Sequence, residues 1–113
     1  NEKARKLDDI AATRYAIEVG GITVSGMTIR TDRESQAMIT AAALQATMDA
    51  AYTCKWKTAN GFIDLTAQMI IGVAQAVRTH VQGCFDHEAE LIQAVNDAET
   101  VEAVGAVSWN AGT

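Results

Sequence analysis

His80, Cys84 and His87 are residue types that bind metals, and their i, i+4, i+7 spacing puts them on one face of a helix. Imidazole nitrogens and a thiolate are zinc ligands, and Glu88 or Glu90 stands close enough in the chain to complete a tetrahedral set. Two facts weigh against that reading. Structural zinc sites usually draw on two segments, and Cys84 falls inside an apolar stripe with His80 at its margin. The expectation is no metal, with His80, Cys84 and His87 as the sole candidate set. Asp86, Glu88 and Glu90 suggest paired carboxylates, but alternate residues of a helix diverge, so a solvated acidic face is expected rather than an acid–base pair. Ser25, Ser35 and Ser108 combine with His80 and an Asp only on paper, because no G-x-S-x-G elbow is present. Phosphate-cradling G-x-G-x-x-G and G-x-x-x-x-G-K-[ST] loops are also missing. No catalytic residue and no cofactor are therefore expected. Trp56 and Trp109 offer stacking surfaces, yet the alternation around Trp56 and the terminal place of Trp109 favour core roles.

Charge narrows the choice of partner. The 113 residues carry 14 acids against 9 Lys and Arg, for a net charge of -5. Every base lies at or before Arg78, while Asp86, Glu88, Glu90, Asp97, Glu99 and Glu102 follow with no cation among them. The one basic cluster, Lys3, Arg5 and Lys6, runs straight into Asp8 and Asp9. Nucleic acid is not an expected partner, because its phosphates demand clustered cations. No run of about 18 apolar residues occurs, so no membrane helix and no membrane partner are expected. Cys54 and Cys84 form no C-x-x-C pair, and reduced, buried thiols are expected. The chain opens on a charged segment without Met and in what reads as mid-helix, which suggests a fragment or processed product of something longer.

These side chains must be carried by about eight elements. With no Pro in the chain, Gly and Asn must make the turns. Residues 1 to about 19 read as a helix with Ala4, Leu7, Ala11 and Tyr15 in a stripe beside Ile10 and Ile17; Gly20-Gly21 ends it. Ile22–Val24 and Met27–Ile29 alternate around Ser25-Gly26 as a hairpin. Thr31 is positioned to start a second helix, with Glu34 closing a capping box and Asp32 in the first turn. That helix is expected to run to about Asp49 with Ala37, Ala41, Leu44 and Met48 on its core stripe.

A second hairpin follows, turning at Asn60-Gly61. A two-residue turn there sets Ala59 opposite Phe62, Lys57 opposite Asp64 and Trp56 opposite Leu65. Cys54, Trp56, Thr58, Ile63 and Leu65 then share the core face, while Lys55, Lys57, Ala59, Phe62 and Asp64 share the outer one. Thr66 or Asp64 caps a long helix from about 67 to 96, striped by Ile70, Val73, Ala74, Val77, Val81, Cys84, Phe85, Leu91, Ile92 and Val95. Gly72 and Gly83 are its candidate bend or close-packing points. Thr100 starts a short last helix carrying Val101 and Val104, and Val107 and Trp109 cover the core or a partner. The expected fold is a single α+β domain over residues 1–113. Its two β-hairpins, forming a small antiparallel sheet, pack on three main helices in the order α-ββ-α-ββ-α(-α), with 1–19 as the end of a connecting helix.

Three stretches carry a family resemblance: YAIEVGGITVSGMTIRTDRESQ at 15–36, YTCKWKTANGFIDL at 52–65 and QAVRTHVQGCFDHEAEL at 75–91. In this order they resemble a domain-of-unknown-function family that recurs in tailed-phage and prophage proteins, many of them tail- or tail-fibre-associated. The resemblance runs from about Ala12 to Val104 and leaves the first dozen residues outside. It implies no catalytic residues. It implies a structural or adaptor domain that contacts other phage tail or tail-fibre proteins, located in the particle or in the host cytoplasm during assembly. The alternative is a tail-fibre assembly factor that binds an unfinished fibre and leaves. Tail fibres are commonly trimeric, so the resemblance also makes a homo-oligomer thinkable. From the residues themselves, the interaction candidates are Phe62 with Lys55 and Lys57, the N-terminal helix, and Trp109.

Overall fold

A computed structural model describes residues 1–58 and 60–110. Among the described residues four helices and two antiparallel two-stranded sheets follow in the order α-ββ-α-ββ-α-α, an α+β fold. The elements are α1 (Glu2–Glu18), β1 (Ile22–Val24), β2 (Met27–Ile29), α2 (Arg33–Met48), β3 (Thr53–Thr58), β4 (Gly61–Thr66), α3 (Ala67–Asp97) and α4 (Val101–Ala106). The hairpins do not join: β1 pairs only with β2, and β3 only with β4. The chain divides into two compact units, one of Asn1–Ile17 with the chain from Val81 onward, the other of Glu18–His80, which holds both hairpins. None of the helices among the described residues is long and apolar enough to cross a membrane.

In the first unit, Ile10, Leu91, Val95 and Val104 form the buried core, with Leu7, Ala98, Val107 and Trp109 packed against it. The inward positions of α1 here are Lys3, Lys6, Leu7, Ile10, Ala11, Thr13 and Arg14; Leu7 and Ala11 of the expected stripe turn inward, whereas Ala4 and Tyr15 are exposed. Arg14 earns its inward place through its partners, since its stem packs while its guanidinium finds Glu88 and the Phe85 ring. Thr100 caps α4 by accepting from the Ala103 N–H. Val104 of that helix is buried and Val101 exposed. An added Cβ at Gly83 would meet nothing within 4 Å, so this glycine is not a close-packing point; in the second unit the same holds for Gly72.

In the second unit, Ala46, Leu65, Ala67 and Ile70 are the core, with Ala42, Ala43, Met27, Tyr52, Cys54, Trp56, Ile63 and Ile71 around them. The β1–β2 register is the expected one, Ile22 opposite Ile29 and Val24 opposite Met27, and Ser25 (φ 50°) and Gly26 (φ 79°) make the turn. The β3–β4 register differs. Lys55 faces Asp64, Trp56 faces Ile63, Lys57 faces Phe62 and Thr58 faces Gly61. Ala59, expected opposite Phe62, lies outside the described residues. The slip has a local cause. The Thr58 hydroxyl donates to the Gly61 carbonyl at 2.8 Å and accepts from the Asn60 N–H, so the turn closes one residue early with Gly61, at φ 110°, already in the strand. Moving each pairing by two leaves the faces unchanged, because side chains alternate with period two. Cys54, Trp56, Ile63 and Leu65 therefore still point inward.

Helix α2 departs further from expectation. Its N-cap is Asp32, which accepts from the Ser35 N–H, and Thr31 is instead fully buried. Its buried face is Ile39 and Ala46 with half-buried Ala42 and Ala43, whereas Ala37, Ala41, Leu44 and Met48 all lie on the surface. Small Ala side chains let the helix approach closely, and Trp56, Ile63 and Leu65 already fill the volume that Leu44 or Met48 would have needed. Thr66 caps α3 through the Met69 N–H.

The Asp32 cap is an acid-sensitive point of the fold. Donation from the Ser35 hydroxyl, then from its backbone N–H, holds this carboxyl below its ordinary 3.8. The folded value is the lower one, so the cap stabilises fully above that ordinary value and loses its contribution as pH falls through the depressed one. Thermal melts between pH 2 and 5 should show Asp32→Asn flattening the acid slope while preserving the cap. An unchanged slope would assign the acid sensitivity elsewhere.

Candidate functional site

The outer face of the β3–β4 hairpin gathers three of the four single residues proposed for interaction, Lys55, Lys57 and Phe62. Thr53, Lys55 and Lys57 on one strand and Phe62, Asp64 and Thr66 on the other all point to solvent, opposite the buried row. Lys55 Nζ reaches Asp64 Oδ1 at 3.0 Å, with both side chains about three-quarters exposed. Phe62 is 68% exposed and sits across the ladder from Lys57. An aromatic ring beside a free-standing cation and a loose ion pair makes a flat amphipathic patch. Such a patch suits contact with another macromolecule, since Phe burial supplies apolar area and the rim charges steer. The ion pair itself contributes little, as exposed pairs typically do.

Trp109 belongs to the other unit and to a different arrangement. It packs half-buried against the Ile10–Val95 core, its ring edge-on to His87 at 4.5 Å between centroids. His87 Nε2 lies 2.6 Å from the Trp109 carbonyl oxygen. A carbonyl only accepts, so Nε2 carries the proton and donates. His80, in the Glu18–His80 unit, donates in the same way to the Glu18 carbonyl at 3.2 Å. Cys84 is buried. Both imidazoles thus hold backbone, and among the described residues no group of three His, Cys, Asp or Glu is placed to hold a metal. The acidic run also divides. Glu88 is not solvated: its Oε1 takes the Arg14 Nε at 3.1 Å, both side chains mostly buried, with the guanidinium 4.5 Å from the Phe85 ring centre. Asp86 accepts from Gln82 on the surface, and Glu90 is exposed. An open groove of about 830 Å³ lies where the start of α1 meets the end of α3, and its charged walls are Glu2, Lys3, Asp97 and Glu99.

Sequence reasoning missed the most demanding polar cluster. Glu18 is 1% exposed. Arg33 clamps its carboxylate from two sides, Nε to Oε2 at 2.6 Å and Nη2 to Oε1 at 2.9 Å, and Gln36 Nε2 adds a third donor at 3.0 Å. The Glu18 carbonyl accepts from the Thr31 hydroxyl at 2.6 Å, and that hydroxyl accepts in turn from the Gly21 N–H. Among the described residues no buried side-chain nitrogen or oxygen is left without a partner. One signal was available: an acid in the last turn of a helix opposes the macrodipole, so Glu18 needed a cation from elsewhere.

The sequence matches a known family model, a domain of unknown function (DUF4376), over residues 1–108. The chain belongs to this family. The match takes in the first dozen residues, which the three recognisable stretches had left out, so the family domain includes α1. No curated protein matches the chain, and no solved structure does.

The Glu18 cluster should be visible in stability. Removing Arg33 strands a buried carboxylate, and Arg33→Ala should cost about 3 kcal/mol in urea unfolding, the low end for a broken buried pair because Arg33 itself is half-exposed. Gln36→Ala should cost about 1 kcal/mol. A loss below 0.5 kcal/mol for Arg33→Ala, roughly the size of an exposed pair, would mean that Glu18 is not desolvated in solution.

Proposed function

We propose that this member of the DUF4376 family is a non-catalytic docking domain of a phage or prophage tail or tail-fibre-associated protein, acting through protein–protein contact on the outer face of β3–β4. The observation that carries the reading is Phe62, a large aromatic held out to solvent by a ladder whose other face is anchored in the core. The phage context rests on the resemblance of the 15–36, 52–65 and 75–91 stretches to proteins of that setting. The chemistry-bearing side chains point the same way. His80, His87, Glu18 and Glu88 are all engaged in holding backbone or countercharge.

The partner on this reading offers an apolar pocket for Phe62 with carboxylates near its edge to meet Lys55 and Lys57. Phe62→Asp should lower capture of tail or tail-fibre proteins at least tenfold in pull-downs from lysates of phage-producing cells, with an unchanged circular dichroism spectrum. The double variant Lys55→Glu/Lys57→Glu should slow association and invert its salt dependence. Capture that survives Phe62→Asp would clear this face of the docking role.

A further inference from the structure

The tip of the β3–β4 hairpin carries an inference that stands apart from the docking reading. Asn60 precedes Gly61, whereas Asn1, Asn96 and Asn110 precede Glu2, Asp97 and Ala111. An asparagine carboxamide lies within reach of the next backbone nitrogen, where attack closes a five-membered ring. A side chain on that next residue crowds the closure, and Gly61 has none. A Cβ built on Gly61 would meet nothing within 4 Å, so the space around its nitrogen is open. Both residues are exposed. The Asn60 backbone N–H donates to the Thr58 hydroxyl at 3.2 Å, while its carboxamide bonds to none of the described residues. Thr58 opposite Gly61 is the last rung of a two-stranded ladder, so opening it breaks no pairing beyond it.

We propose that Asn60 is a site of spontaneous covalent modification, converting to isoaspartate and aspartate in the native hairpin with water as the co-reactant. Hydroxide removes the Gly61 amide proton, and the nitrogen attacks Asn60 Cγ. The N–Cγ bond forms, the Cγ–Nδ2 bond breaks, and Nδ2 takes a proton from solvent and leaves as ammonia. Water then opens the succinimide at one of its two carbonyl carbons. Opening at Cγ gives aspartate. Opening at the backbone carbonyl gives isoaspartate, with the chain now running through Cβ and Cγ. No group is oxidised or reduced. Either product places a new carboxylate two residues from Phe62. Isoaspartate also adds one carbon to the backbone of the loop that the Thr58 hydroxyl closes, and that closure sets the β3–β4 register.

Ageing the 113-residue chain at about 37 °C and pH 8, followed by peptide mapping with electron-transfer fragmentation, tests it. Asn60 should convert at least about tenfold faster than Asn96 and Asn110, faster at pH 8 than at pH 6, with isoaspartate among the products. Urea below the unfolding transition should leave that rate unchanged. Asn60 as durable as Asn96 overturns the inference. So does conversion to aspartate alone, which direct hydrolysis of the carboxamide gives without a ring. A rate that climbs with the unfolded fraction overturns it too, because the reaction would then belong to the unfolded chain and not to the hairpin.

Discussion

The carboxylate of Glu18 ties the Glu18–His80 unit together. It is the last residue of α1, buried almost completely, with Arg33 and Gln36 of α2 brought to it as donors. Its carbonyl takes Thr31 and His80, so one residue fixes the end of α1, the approach of α2 and a point on α3. Gly21 is caught in the same cluster through Thr31, at φ 92°, where a side chain would be strained and its Cβ would sit 3.3 Å from the Ile29 carbonyl. The β1–β2 ribbon, too short to stand alone, is thereby held at both its ends. Polar clusters of this kind add little net energy, but a half-satisfied one is costly, so they select one arrangement over others.

With α2 held, its Ala face closes on the inward row of β3–β4. That is why Phe62, Lys55 and Lys57 have nowhere to point but out. Alternation along the ladder converts core burial of Trp56, Ile63 and Leu65 into exposure of the opposite row. The same closure leaves Leu44 and Met48 in water, because the small side chains are the ones that fit beneath the hairpin. Both exposed faces are consequences of one packing decision, and both lie on a helix or strands rather than on loops.

Element order and type were legible because each element announces its ends: Gly20-Gly21, Ser25-Gly26, Asn60-Gly61, Thr66 and Thr100 are local signals that act before any tertiary contact. The outer row of β3–β4 was legible for the same reason, since a pattern of period two survives a slip of two. What failed was one local detail of the turn and several non-local choices. The slip itself depends on a Thr58 hydroxyl reaching across the turn, and the choice of face on α2 depends on how much volume the hairpin had already filled. Both faces of α2 are apolar, so periodicity alone could not choose between them. Thr31 and Glu18 were hidden because nothing in their neighbours' types shows that one hydroxyl and one carboxylate meet across thirteen residues. The metal candidates illustrate the reverse case: their spacing is real, and their ring nitrogens are engaged by carbonyls that sequence does not display.

The proposed role is contact within a phage tail. Mass spectrometry of purified particles from the phage or prophage that encodes the chain addresses that role most directly. The docking reading predicts the chain in the mature tail at a fixed ratio to its neighbours. Absence from the particle, together with normal tails when the gene is deleted, would contradict it.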